Sequence, residues 1–145
     1  MKIFKNAFTM IELVFVIVVL GILAAVAIPR LSATRIDAQI TKARADISAI
    51  RSAIISERQS RLIRGDSSWI SSLSGASGKY FDGNDSTHIL LMYGIEPKEV
   101  NGHWYGKSGN TYKLKIEDSD NIFTYNPDDG TFKCTSGSKC SELTE

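Results

Sequence analysis

The stretch AFTMIELVFVIVVLGILAAVAIP, residues 7–29, decides how this chain is organised. From Leu13 to Ile28 every residue is apolar, alanine or glycine. With residues 8–12 added, they would form a helix of about 21 residues and about 31 Å, which matches a hydrocarbon core about 30 Å thick. The stretch therefore predicts a transmembrane helix over residues 8–29.

The residues that precede this helix predict its orientation. Lys2 and Lys5 lie in the first seven residues, which contain no acid. Lys and Arg are enriched on the cytoplasmic side of membrane spans. We therefore expect a single-pass protein whose start is cytoplasmic and whose remaining residues, after Ile28, lie outside the cytoplasm.

A second, amphipathic helical pattern covers residues 30–64. Its apolar residues recur at alternating spacings of four and three, which is typical of the buried stripe of a helix: Ile36, Ile40, Ala43, Ile47, Ile50 and Ile54. Pro29 removes a backbone donor just before this pattern and predicts a helix kink. A basic last turn followed by Gly65 predicts that the helix stops there.

The other faces of the amphipathic helix are basic. Its cations outnumber Asp37, Asp46 and Glu57 and are the following: Arg35, Lys42, Arg44, Arg51, Arg58, Arg61 and Arg64. Such a face can be solvated and pair with a neighbouring subunit, or it can contact DNA. The charge pattern alone leaves both interpretations open.

The remaining residues predict a small sheet. Residues 65–87 are rich in Ser, Gly and Asp and predict a loop held by apolar anchors, namely Trp69, Ile70, Leu73, Tyr80 and Phe81. Residues 88–145 contain short runs separated by turn residues: HILLMY (88–93), HWYG (103–106), TYKLKIE (111–117), NIFTYN (121–126) and GTFKC (130–134). The predicted fold class is α+β, with the stripe of a long N-terminal helix packed on an antiparallel meander.

The two cysteines, Cys134 and Cys140, predict a disulfide near the C-terminus. An even cysteine count in a segment outside the cytoplasm is typical of disulfide pairing. A zinc site needs four ligands, and His88 and His103 lie far upstream of the cysteines. We therefore expect one disulfide that closes a short C-terminal loop.

Enzymatic chemistry has little support in this sequence. His88 and His103 are isolated, and no spacing suggests a nucleophile, a base and an orienting acid. The run SGASGKY, residues 74–80, lacks the first glycine of a phosphate-binding loop, and Tyr80 stands in place of the Ser or Thr that would bind magnesium. We therefore predict a protein that is not an enzyme and has no cofactor of its own.

Residues 7–29 resemble the type III signal and N-terminal helix of type IV pilins and type II secretion pseudopilins. The resemblance is close over about the first 30 residues, and the helix, loop, sheet and late cysteine pair fit the family more loosely. It implies that a prepilin peptidase cuts between Ala7 and Phe8 and that the new Phe8 amine is methylated. Ala7 stands where the family usually has Gly.

The same resemblance implies that Glu12 acts in subunit addition, by pairing with the N-terminal amine of a neighbour. An unpaired carboxylate in an apolar bundle is costly, and pairing relieves that cost. Phe8 and Glu12 are i and i+4 on one helix face. A staggered neighbour could therefore bring its amine to Glu12 and set the register of the assembly.

The family resemblance implies a filament of pilin-like subunits, with a bacterial inner-membrane anchor and a periplasmic globular domain. The filament would need a separate assembly ATPase and platform proteins. A minor subunit of a DNA-uptake apparatus is an alternative, since secretion, pilus and uptake subunits share the readable motif. A second alternative is an ordinary signal peptide cut after Ala27, which would release a soluble periplasmic protein beginning at Ile28.

Two further sites are hypotheses from short motifs. Acids and amides cluster in two predicted turns and could bind calcium, as related loops do in major pseudopilins: Glu117, Asp118, Asp120, Asn121, Asp128 and Asp129. Their spacing does not match an EF-hand, and turn chemistry explains them equally well. Asp82-x-Asn84-x-Ser86 resembles the extended acceptor sequence of bacterial N-glycosylation and would place a glycan on Asn84.

Overall fold

A computed structural model describes residues 8–84 and 87–144 of the chain. The chain divides into two compact units, residues 1–35 and residues 36–145. The predicted boundary at residue 29, between the membrane-spanning and the amphipathic part of the helix, stays a prediction. The chain forms two helices, the long α1 (Met10–Ile63) and the short α2 (Cys140–Thr144). Between them lie four strands: β1 (His103–Ser108), β2 (Thr111–Ile116), β3 (Ser119–Asn126) and β4 (Thr131–Ser136).

Helix α1 belongs to both units and is helical through residue 29. A bend at Pro29 stays a prediction. The helix ends as the sequence predicts, because Gly65 adopts a φ of 86° that suits glycine. The Asp66 and Gly65 amides donate to the Arg61 and Leu62 carbonyls at 3.0 Å each, which is a Schellman motif.

The four strands form one antiparallel sheet in the order β1-β2-β3-β4, which confirms the predicted meander. Register pairs place large side chains opposite one another, for example Trp104 opposite Leu114 and Tyr112 opposite Phe123. Along β2 and β3 buried and partly exposed residues alternate. One face of the sheet is therefore apolar, as the pleat of a half-buried strand requires.

The apolar stripe of α1 covers this face in the second unit. The predicted stripe residues from Ile40 to Ile54 are buried, and Ile36 is partly buried against the core. The Trp104 indole nitrogen donates to Asp46 Oδ2 of α1 at 3.2 Å, which joins helix and sheet. The stripe prediction is confirmed.

The loop after α1 completes the core, as its apolar anchors predict. Ile70, Leu73 and Phe81 are buried, and Trp69 and Tyr80 are partly buried against the same cluster. The Phe81 ring lies among sheet aromatics, with its centroid 4.5 Å from that of Tyr112 and 5.0 Å from that of Trp104. Ring pairs of this kind contribute about 1 kcal/mol beyond their buried area.

The strand predicted over residues 88–93 is wrong. The Leu90 and Leu91 amides donate to the carbonyls of Asp82 and Phe81, so this segment bonds to the loop instead of joining the sheet. Only isolated bridges form there, for example between Gly83 and Ile89. The loop region therefore extends from Arg64 to Gly102, and the first sheet strand is β1.

Candidate assembly site

The start of α1 is closed by a capping box. The Thr9 hydroxyl accepts from the Glu12 amide at 3.2 Å and donates to Glu12 Oε2 at 3.2 Å. The Thr9 amide donates to the same carboxylate oxygen at 3.3 Å. Thr9 is thus the N-cap residue and Glu12 the third helical residue, the positions that this motif requires.

The capping box gives Glu12 a role inside its own chain. Its carboxylate accepts from a backbone donor at the helix start and lies near the positive end of the helix dipole. The side chain is exposed, so the carboxylate can also accept bonds from outside the chain. It is the only charged residue between Phe8 and Ile28.

The first unit exposes a continuous apolar surface along α1. From Phe8 to Leu31, the large apolar side chains are exposed by 37% to 82%. An 18-residue window of this helix has a mean hydropathy of 3.0. In the part of the chain that the structure describes, α1 is the one helix long and apolar enough to cross a membrane, which is consistent with membrane anchoring.

The predicted cleavage site falls at the edge of the described residues. Phe8 precedes the cap and is 76% exposed, whereas Ala7 lies outside the described residues. Cleavage before Phe8 would leave Thr9 and Glu12 in the mature chain. The capping box would then lie one residue from the new amine.

Several basic side chains of α1 donate hydrogen bonds to backbone carbonyls of the sheet, the loop before it and α2. Lys42 Nζ donates to the Gly102 carbonyl at 2.7 Å, and Arg51 Nε donates to the Phe132 carbonyl at 3.1 Å. Arg44 Nε donates to the Glu142 carbonyl in α2. These side chains satisfy carbonyls of neighbouring elements, so much of the helix's positive charge has a structural role.

The last two turns of α1 contain a buried ion pair that the sequence analysis did not single out. Arg61 Nε donates to Glu57 Oε1 at 3.0 Å, and both residues are buried. Arg61 Nη1 also donates to Asp66 Oδ2 and Ser68 Oγ, each at 3.2 Å. Arg61 therefore holds the first residues of the loop against the end of the helix. The i,i+4 spacing of Glu57 and Arg61 is the sequence signal that could have predicted their ion pair.

The predicted disulfide is present and shapes the C-terminus. Cys134 in β4 is bonded to Cys140, the first residue of α2, with their Cα atoms 5.6 Å apart. Asn121 is fully buried, and its Oδ1 accepts a hydrogen bond from the Lys139 backbone amide at 2.9 Å. Asn121 was grouped with the calcium candidates, but here it orders the disulfide loop.

The acids proposed for calcium do not come together. Asp118 and Asp120 lie at the start of β3, and Asp128 and Asp129 lie beyond its end. The strand has eight residues, which at about 3.3 Å per residue separates its ends by about 25 Å, so the four acids cannot ligate one ion. Within residues 8–84 and 87–144, no group of three His, Cys, Asp or Glu side chains is placed to hold a metal.

The carboxylates of Asp120 and Asp129 also have local hydrogen-bond partners. Asp120 accepts from the Tyr105 hydroxyl and Lys113, and the Tyr105 bond lowers the pKa of Asp120 while raising that of Tyr105 to about 12. Asp129 accepts from the Thr131 hydroxyl at 2.7 Å and from the Thr131 amide at 2.9 Å, and both bonds lower the pKa of Asp129. Calcium binding at either turn alone stays a prediction.

The remaining candidates are placed as follows. Asn84 is exposed, with its amide nitrogen 3.2 Å from Ser71 Oγ, whereas Ser86 of the acceptor motif lies outside the described residues. His103 Nδ1 lies 3.3 Å from the Asn101 carbonyl oxygen. The backbone carbonyl of His88 accepts a hydrogen bond from the backbone amide of Asn84. The two histidines thus belong to different segments of the fold.

Comparisons with known proteins agree with the N-terminal observations. Residues 4–28 match the family model of the prokaryotic N-terminal methylation motif. The chain is 42% identical over 50 residues to the type II secretion system core protein G of Pseudomonas aeruginosa. That match spans 34% of this chain and 35% of the relative, about a third of each.

No solved structure matches the chain. The match to the methylation motif coincides with the exposed apolar part of α1, and the second unit has the predicted helix on an antiparallel sheet. The motif over residues 4–28 and this relative support a resemblance to type IV pilins and pseudopilins, and each match covers only part of the chain.

Proposed function

We propose that the chain is a non-enzymatic structural subunit of a helical filament anchored in the inner membrane, in a type II secretion or type IV pilus-like system. A prepilin peptidase removes residues 1–7 and methylates Phe8. Platform proteins and a separate ATPase then move the subunit from the bilayer into the filament. The globular unit lies in the periplasm or outside the cell.

The observation that carries this proposal is the unpaired apolar surface of α1 from Phe8 to Leu31. Surface of this size and hydropathy must be removed from water, since each buried Å² of apolar area contributes about 25 cal/mol. A bilayer can cover it before assembly. Equivalent helices of other copies can cover it in a filament core, where the same residues meet one another.

Glu12 gives such a bundle its specificity. Leu, Val and Ile contacts are similar at every register, whereas a buried carboxylate is tolerated only where it meets a partner. The capping box holds the Glu12 carboxylate against the Thr9 amide and hydroxyl, one residue after Phe8. A neighbouring amine that arrives there completes the carboxylate's bonds and fixes the stagger.

The relative favours the secretion branch of the proposal. Its printed name assigns it to a type II secretion system. The DNA-uptake alternative relies on the positive charge along α1, and Lys42, Arg44 and Arg51 also donate to carbonyls of their own chain, which gives these side chains a structural role. The relative's name is therefore what favours the secretion branch in this proposal.

The first test is the intact mass and N-terminal sequence of the protein from its native membrane. The proposal expects a chain that begins at N-methylated Phe8 and is two hydrogens lighter for the disulfide. A chain that begins at Ile28 would instead show cleavage by an ordinary signal peptidase. Glu12 would then be absent from the mature molecule, and the filament proposal would fail.

The second test separates the two roles of Glu12. Glu12→Gln keeps a capping side chain but removes the charge, whereas Thr9→Val removes the cap hydroxyl and keeps the charge. We expect Glu12→Gln and Glu12→Ala to reduce filament yield at least tenfold, and Thr9→Val to reduce it much less. Cleavage before Phe8, measured in each variant, is the control. Normal yield from Glu12→Gln would show that capping, and not charge pairing, explains this residue.

A further inference from the structure

We propose that the turn Leu91–Gly94 of one subunit docks into a groove beside Ile55 and Phe132 on a second copy of this chain. This inference rests on the proposed filament and adds a contact between globular units to it. The turn and the groove both lie in the second unit, and both are described completely.

The turn presents an apolar tip to solvent. The Gly94 amide donates to the Leu91 carbonyl at 3.2 Å, so Met92 and Tyr93 are the two central residues. They are 81% and 78% exposed. Central turn positions are usually occupied by Gly, Pro, Asn, Asp or Ser, and an exposed apolar cluster often marks an interaction site.

The turn is held firmly from behind. The Leu91 amide donates to the carbonyl of the buried Phe81 at 3.0 Å. Just beyond the turn, Ile95 and Tyr80 exchange two backbone hydrogen bonds, at 2.7 and 2.8 Å. A pre-ordered apolar tip loses little conformational entropy when it binds, which favours association.

The groove lies between α1 and the β3–β4 connection and has a volume of about 320 Å³. Ile55, which is 55% exposed, supplies most of the apolar lining, and Phe132, which is 3% exposed, borders the groove from the core. Arg51 and Lys133 add two cations. Arg51 is fixed by its hydrogen bond to the Phe132 carbonyl.

This lining suits an aromatic side chain. A ring can contact the apolar residues while its face meets a guanidinium or ammonium group, a contact worth about 0.5–1 kcal/mol at an exposed site. Among the described residues of the second unit, Tyr93 is the only aromatic residue in the exposed class. The best chemical match for the groove is therefore present on the chain itself.

The groove and the segment that leads into the turn occupy different flanks of α1. Ile89, which leads into the turn, shares a second groove with Ser56 and Ser60 of the helix. At 3.6 residues per turn, this Ser56–Ser60 side is about 140° around the helix axis from the Arg51–Ile55 side. A contact between two such flanks is heterologous, and its repetition produces an open filament unless a ring closes.

The test uses full-length chains in native membranes and a bis-maleimide crosslinker. Tyr93→Cys and Ile55→Cys are introduced together, while the native cysteines stay in their disulfide. We expect a ladder of dimers, trimers and larger species from the double variant, and no ladder from either single variant. Val100→Cys with Ile55→Cys is the matched control, since Val100 is 51% exposed and lies outside the turn; we expect at least tenfold less crosslinking.

A second measurement compares side-chain chemistry at the tip. Tyr93→Phe keeps the ring and should keep filament yield, whereas Met92→Ser with Tyr93→Ser should lower it at least fivefold without changing the melting temperature. Filaments without the crosslinked ladder would overturn this inference and leave the proposed function standing. If the wild-type chain forms no filaments in any preparation, both this inference and the proposed function are overturned. A vesicle-induced blue shift of a dye on Tyr93→Cys, without a ladder, would assign the turn to a lipid surface and overturn the inference.

Discussion

Glu12 illustrates how far single residues could be read from the sequence. Its charge inside an apolar run is visible in the sequence, and the family resemblance with the cost of an unpaired carboxylate leads to the assembly hypothesis. The pattern Thr-x-x-Glu before that run is also present in the sequence and is the signature of the capping box. By contrast, Asn121 meets the Lys139 amide across 18 residues of sequence, a contact that depends on the folded sheet and has no local pattern.

Asp46 provides a pH-dependent prediction at the same scale. Burial raises the pKa of its carboxyl, partly offset by the Trp104 hydrogen bond and the charges of Lys42 and His103. Because the folded pKa exceeds the unfolded value, the associated stability is present at low pH and is lost as pH rises through the folded pKa. Ionised Asp46 therefore lowers the free energy of unfolding at neutral pH.

Asp46→Asn should raise the free energy of unfolding at pH 7 by at most about 1 kcal/mol, with screening at this partly buried site reducing the gain. The asparagine oxygen can still accept from Trp104, so the packing is kept. The gain should vanish below about pH 3.8, where the wild-type carboxyl is protonated in both states. Urea unfolding in detergent at pH 7 and pH 3.5 measures both values, and an equal gain at the two pH values would contradict the charge explanation.

The Arg61–Glu57 pair gives a second prediction for individual residues. Arg61→Met would leave the buried Glu57 carboxylate without its partner and should lower the free energy of unfolding by about 3 kcal/mol. Arg61→Met with Glu57→Leu removes both charges and should recover most of that loss. Urea unfolding of the wild type and the two variants provides the comparison. If the double variant is as unstable as Arg61→Met, the loss comes from the bonds of Arg61 to the loop and not from an isolated charge.

At the scale of elements, the segments with a periodic pattern of apolar residues were predicted correctly, and the one run without such a pattern was not. The α1 stripe repeats with the helical period, and strands such as β2 alternate apolar and polar residues. The run HILLMY has no alternation, so its composition suggested a strand without specifying a partner. Its amides bond to Phe81 and Asp82 of the preceding loop, and beside this pairing the chain approaches Gly83 so closely that an added Cβ would clash with the His88 carbonyl.

The disulfide and α2 act together as one element. Cys134→Ser with Cys140→Ser should lower the free energy of unfolding by about 2 kcal/mol, because the crosslink restricts a short loop of the unfolded chain. The loss should be accompanied by faster amide exchange in α2, where Leu143 is buried and the Glu142 carbonyl accepts from Arg44. Hydrogen exchange followed by mass spectrometry measures this. Thr135→Ser, which changes a neighbouring exposed residue, is the control, and unchanged α2 protection in the double serine variant would contradict the proposed coupling.

At the scale of the whole molecule, the two units differ in where their apolar side chains lie. Those of the first unit need a bilayer or other protein copies to cover them, whereas those of the second unit are covered by their own core. Residues 8–31 expose large apolar side chains along α1 and contribute none to the buried core. The core of the second unit begins at Ile36 and Ile40 and closes with Leu143 near the C-terminus. The change from exposed to buried apolar side chains occurs within a single helix, between Leu31 and Ile36, and the periodic stripe that begins at Ile36 made it predictable from the sequence.

This division predicts the behaviour of a truncated chain. A protein of residues 30–145 should be soluble and monomeric and should melt cooperatively, because it retains all of the described core and loses most of the apolar surface that needs a bilayer or other copies. The full-length chain should remain in the membrane fraction until detergent is added. Light scattering after size exclusion, circular dichroism melting and membrane fractionation test these outcomes. An aggregated or unfolded truncated chain would mean that residues before 30 are needed for the globular fold, and a full-length chain that is soluble without detergent would contradict the role given to the apolar surface of α1.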